Sequence, residues 1–148
     1  ALGEKVGGFN IHEALLAGLV HDIGTIAVIG YARNLPEVAE NPSALESSIN
    51  ALRAQLSGMI LSKWQLPTTL VNAAKEAENW YREHPGKADY ADLVIVAQLI
   101  EGVAADIDPG KVTALVRLGL STHEIGHDID LLLEAQEGVE VAKQALNG

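Results

Sequence analysis

Helix-start signals recur along this chain, and nowhere does it alternate at period two for long enough to demand a sheet. Asn10-Ile11-His12-Glu13 reads as a capping box, with Asn10 accepting from an early backbone N–H and Glu13 reaching back. An apolar run from Ala14 to Val20 follows. Gly24 suits a C-terminal cap, with a second short helix over Ile26 to Tyr31. Asn34 to Ser43, holding Pro36 and Pro42, reads as a loop that ends in a further box, Ser43-Ala44-Leu45-Glu46. Behind it Leu45, Ile49, Leu52, Leu56, Ile60 and Trp64 recur at three- and four-residue spacing, one stripe of a long helix with Trp64 as core anchor. Pro67 suits the first turn of a helix carrying Leu70, Val71, Ala74 and Ala77. After the break at His84-Pro85-Gly86-Lys87, Asp89 caps a helix with Leu93, Val96, Ala97, Ile100 and Val103. Asp108-Pro109-Gly110 is a turn, Ser121-Thr122-His123-Glu124 a third box, and the last helix runs toward Leu146. The expected fold is all-α, a bundle of about six or seven helices.

Composition narrows the function classes. The chain has 148 residues, one domain's worth, and 48% are hydrophobic, enough for a real core and too many for a disordered tail. Its formal charge of −10 repels phosphate backbones, so no nucleic-acid partner is expected. The absence of cysteine excludes disulfides, thiolate nucleophiles and Cys-ligated zinc. No stretch of roughly 18 consecutive apolar residues without charge occurs, so no membrane span is expected. No basic segment followed by an apolar one marks a secretory signal, and the expected location is the cytoplasm.

Two segments carry a family resemblance. Ala17-Gly18-Leu19-Val20-His21-Asp22-Ile23-Gly24 resembles the signature of the HD superfamily of metal-dependent phosphohydrolases, in which an adjacent imidazole and carboxylate face one divalent ion. Gly58, Leu61 and Trp64-Gln65-Leu66-Pro67 resemble the Gly…Leu-x-x-Trp-x-Leu-Pro segment of the HDOD branch, whose glycine often falls one residue earlier, at Ser57 here. Glu46 lies where that branch tends to carry a Glu, and Leu115 to Ser121 is similar to its C-terminal connection. The resemblance runs from about Leu15 to the end. It implies an HD-type bundle in one domain, the C-terminal part of an HDOD domain whose preceding helical region, with the superfamily's first ligand His, lies upstream.

That resemblance also implies where further metal ligands would stand. The slot ten or eleven residues before Trp64 holds Ala54 and Arg53, the paired-His slot after Pro67 holds Ala77 and Glu78, and the Ala-Asp slot holds Ala97 and Gln98. Only His21 and Asp22 remain, too few for more than weak, exchangeable divalent metal, so no cofactor is expected. A one-turn slip of alignment would bring Glu76 or Glu78 into the site. The plainer reading of His21-Asp22 is structural, a turn-capping carboxylate beside a satisfied imidazole.

His123-Glu124-Ile125-Gly126-His127 matches the zincin H-E-x-x-H motif. Gly126 suits a helix interior poorly, Asp128 follows where an uncharged residue usually stands, and Asp130 and Leu133 fill the Gly and His slots of the extended form. His12 and His84 stand alone and read as surface or capping residues. The acidic residues Asp128, Asp130, Glu134, Glu137 and Glu140 read as a solvated face, with a partner-binding face as the sharper alternative.

What the resemblance implies is a non-catalytic bacterial signal-transduction module acting through protein–protein contact, with receiver, diguanylate cyclase or phosphodiesterase domains as partners. The alternatives are a metal-dependent phosphohydrolase on nucleotides or cyclic dinucleotides, and a degenerate nucleotide-binding sensor.

Overall fold

The structure, a computed structural model, describes residues 7–102 and 106–123. Among them every regular element is a helix: α1 (Ile11–Val20), α2 (Gly24–Ala32), α3 (Pro36–Ala39), α4 (Pro42–Lys63), α5 (Thr68–Glu76), α6 (Tyr90–Ile100), a 3-10 turn (Pro109–Lys111) and α7 (Thr113–Arg117). The all-α expectation holds. The H-E-x-x-H motif beyond His123 and the expected last helix lie outside the described residues.

Local chemistry sets the helix ends, and it corrects several expectations. Asn10 Oδ1 accepts from the N–H groups of His12 (2.9 Å) and Glu13 (3.2 Å), but Glu13 does not complete the box. The Tyr90 hydroxyl stands in between, accepting from Asn10 N–H at 3.4 Å and donating to Glu13 Oε2 at 2.7 Å. α4 begins at Pro42, capped by Asn41, whose side chain accepts from Ala44 N–H at 3.1 Å. Asn41 followed by proline at the first helical position outcompetes Ser43, because that proline's missing N–H leaves one orphan donor fewer. The expected 34–43 loop contains α3, started by Pro36 in the same way. Asp89 does cap α6, in a full box with Asp92.

The Trp-Gln-Leu-Pro segment ends α4 in a Schellman motif. Gln65 takes φ +59°, its N–H donates to Ser62 O at 3.0 Å, and Leu66 N–H donates to Leu61 O at 3.1 Å. Leu66 packs beside fully buried Leu61, and Pro67 then serves as N-cap of α5. Trp64 is 58% exposed, not the core anchor its place in the stripe suggested, and Leu52 is exposed too. α4 turns Ser57, Gly58 and Leu61 to the interior instead.

Small residues are needed on that face for close approach. A Cβ on Gly24 would lie 2.2 Å from Arg53 O and 2.8 Å from Ser57 N. Gly24 is therefore not a helix cap; it opens α2 where that helix meets α4, and its N–H donates to buried Ser57 Oγ at 2.9 Å. Gly58 likewise makes room for the Lys75 side chain of α5.

The core falls into three neighbouring clusters. Leu61, Val71 and Ala74 join α4 to α5, with Val20 and Ile23 packed against them. Ala17, Leu70, Ala73, Ala77, Ala91 and Val94 join α1, α5 and α6. Leu93, Ile95, Val96, Leu99, Val112, Ala114, Leu115 and Leu118 join α6 to α7, with Phe9, Ala14 and Leu120 beside them. Each fully buried Val, Leu or Ile side chain contributes about 1.5–3 kcal/mol, and each alanine less.

The helical stretch Ile11–Ala32 has a mean hydropathy of 1.6 and is long and apolar enough to cross a membrane by length and composition, contrary to the expectation from uninterrupted apolar runs. It includes Glu13, His21 and Asp22, its helix is interrupted at residues 21–23, and Ala17, Gly24, Val28 and Ala32 are buried.

Candidate functional site

His21 and Asp22 lie in the turn between α1 and α2. The turn is tightened by bonds from Ile23 N–H to Val20 O (3.3 Å), Thr25 N–H to Asp22 O (2.8 Å) and Ile26 N–H to Ile23 O (3.2 Å). His21 is partly buried and its Nδ1 lies 2.7 Å from Gly18 O, so that nitrogen carries the proton and donates. Asp22 is exposed. Gly24 clamps the turn against the backbone of Arg53 and Ser57.

The presumed ligand slots are tied to one another rather than left open. Arg53 Nε donates to Glu78 Oε1 in a part-buried ion pair that joins α4 to the residues after α5. Gln98, buried on α6, donates through Nε2 to Ala77 O at 2.8 Å and Val94 O at 3.4 Å. A carboxylate there could donate neither bond. These residues do not fit a divalent ion: a guanidinium stands at one slot and takes up the nearest carboxylate, an amide closes another, and the His21-Asp22 pair is left with too few ligands. Of the other motif residues, Glu46 is exposed on α4, Gly58 is buried, and Trp64 and Pro67 are exposed.

A second constellation escaped sequence reading. Asp92, fully buried at the start of α6, gathers groups from three stretches of chain. Arg117 forks onto it, Nη2 to Oδ1 at 2.7 Å and Nε to Oδ2 at 3.0 Å. Arg82 Nη1 donates to Oδ1 at 3.0 Å, Asp89 N–H to Oδ2 at 3.1 Å, and His84 Nε2 lies 3.1 Å from Oδ2. Arg82 also grips Asp89 with both terminal nitrogens, at 2.7 and 3.0 Å. His84, expected to stand alone, belongs to this network. Burial pushes the Asp92 carboxyl up; the Arg117 hydrogen bonds, the Asp89 N–H and His84 outweigh it, and its pKa falls below the usual carboxylate value. On the neighbouring Tyr90, burial and the bond to Glu13 push the phenol up.

Ligand atoms of His84, Asp89 and Asp92 lie within 4.8 Å of one another, a spacing a metal could use. Arg82 and Arg117 already neutralise those carboxylates, so the cluster is a closed ion network and not an open donor set. Beside it an open cleft of about 450 Å³ is lined by Glu83, His84, Pro85, Thr113 and Arg117.

No curated protein and no solved structure matches the chain. The family model of the HDOD domain matches residues 1–80, which places the Asp92 network and the Leu115–Ser121 connection outside the match, although the resemblance read from the sequence ran to the chain's end. The matched span covers more than half of the 148 residues and includes His21-Asp22, the Gly24 contact, Gly58 and the Trp64–Pro67 helix stop. The chain belongs to the HDOD domain family.

Proposed function

We propose that this chain is a non-catalytic regulatory module of bacterial signal transduction, working by protein–protein contact with receiver, diguanylate cyclase or phosphodiesterase domains. The observation that carries the reading is the Arg53–Glu78 ion pair. It joins two positions where the resemblance puts ligands of an active relative, and it leaves a guanidinium paired with a carboxylate there instead of two metal donors. A hydrolase of this class needs one or two ions to orient water and stabilise charge on the phosphoryl oxygens, and these side chains supply neither the ligands nor the electrostatics. Packed helices locked by such pairs pass on a change of state through small shifts between them.

The test is hydrolysis of a generic phosphodiester and of cyclic dinucleotides, with Mn²⁺, Mg²⁺ or Fe²⁺ added. The reading expects no turnover above the metal-only control. Turnover that disappears in His21→Ala would overturn it in favour of a phosphohydrolase. Thermal stabilisation by a nucleotide without product would favour the degenerate sensor.

A further inference from the structure

The outer face of α1 is a short self-complementary seam, and we propose that a second copy of this chain docks on it, α1 against α1 in antiparallel order. Ile11, Leu15 and Leu19 are 49%, 62% and 70% exposed, while the opposite side of the helix buries Ala17. Gly18, also exposed, has no atom within 4 Å of where a Cβ would stand, so another backbone can come close there. His12, Leu15, Leu19 and Asp22 follow at spacings of three, four and three, the seam of a two-helix pairing, and the α-type backbone at His21 carries that spacing to Asp22.

The pattern is its own complement. Positions 12 and 22, and positions 15 and 19, lie symmetrically about position 17. A two-fold axis at that level sets Leu15 of one copy against Leu19 of the other and, at each end, His12 of one against Asp22 of the other. Residue i meets residue j and j meets i, as a closed dimer requires. Among the described residues the side chains of His12 and Asp22 are exposed and make no hydrogen bond or ion pair within the chain, so both are free to pair across the axis. Leu15 and Leu19 of two copies bury well under the roughly 1,200 Å² of a standard interface, which is the size of a weak, reversible contact and not of an obligate dimer. The inference rests on the reading that the His-Asp turn holds no metal, which leaves the Asp22 carboxylate free to pair; Leu19→Glu tests the apolar seam apart from that reading.

Sedimentation equilibrium of the full chain, from about 10 µM to 1 mM at ~0.15 M salt to screen the net charge, reads the association directly. The weight-average mass should rise from 15.7 kDa toward twice that value. Leu19→Glu should weaken association at least about tenfold while the far-UV circular dichroism stays unchanged, since the side chain is exposed. The charge variants settle the register. His12→Glu and Asp22→Lys should each weaken association, and the double variant should restore it. His12→Glu suits the start of α1, Asp22→Lys suits the end of α1 but opposes the start of α2, and an unchanged far-UV circular dichroism spectrum shows that each variant folds. A wild-type mass fixed at the monomer value, or a double variant no better than its parents, would overturn the proposal.

Discussion

Replacing Asp92 with asparagine keeps the side-chain volume and removes the charge that two guanidiniums share. Asp92 is fully buried, Arg82 and Arg117 keep only 9% and 14% of their side-chain surface, and the fork from Arg117 would then face an amide that keeps one acceptor oxygen and sets an NH2 donor where the other stood. Breaking one partner of a buried pair costs about 3–5 kcal/mol. Arg82 keeps its grip on Asp89, so the lower end applies, about 3 kcal/mol at neutral pH. With a urea slope of about 2 kcal/mol per molar, the midpoint should fall by roughly 1.5 M, read by circular dichroism. The pH dependence has a definite sign. The folded carboxyl has a lowered pKa, so its stabilisation is fully present above the ordinary aspartate value near 3.9 and is lost as pH falls through the folded value. The gap between wild type and Asp92→Asn should thus be widest at about pH 6–7 and close below about pH 4. A gap under about 1 kcal/mol at neutral pH, or one that persists unchanged into acid, would refute the argument.

Three smaller perturbations probe the helix ends and the turn. Gln65→Gly relieves a left-handed residue of its Cβ penalty and should raise stability by about 0.5–1 kcal/mol, seen as a higher Tm. Gly24→Ala drives a methyl into the Arg53 carbonyl and should cost about 3 kcal/mol or more, measured by urea unfolding. Thr25→Val removes a buried hydroxyl oxygen that lacks a partner among the described residues and should raise the Tm, by about 1 kcal/mol of stability.

Much of the architecture was legible because it rests on local rules. The caps at Asn10 and Asp89, the stop at Trp64–Pro67 and the apolar positions of α5 and α6 all follow from side chains a few residues apart. Expectations failed where distant partners decide. Trp64 sits on the sequence stripe, yet the close approach of Gly24 to Ser57 rotates the interior face of α4 toward its small residues. Glu13 looked like half of a box, but Tyr90, 77 positions away, takes its carboxylate. The Asp92 network unites residues 82 to 117, and its only sequence trace is an Asp at the third position of a capping box with arginines ten residues before and twenty-five after. The ion pair across the presumed slots was half visible. Arg53 and Glu78 were both named, but their pairing depends on how α4 and α5 pack.

Arg53, Glu78 and Gln98 fill, with an ion pair and an amide, the positions where the resemblance puts metal ligands. The measurement that decides whether metal is held there is the metal content of the full-length protein, purified without chelators and read by inductively coupled plasma mass spectrometry. Mn, Fe, Mg and Zn should each stand well below one per chain, with the small residue unchanged in His21→Ala. Near-stoichiometric metal that His21→Ala removes would contradict it.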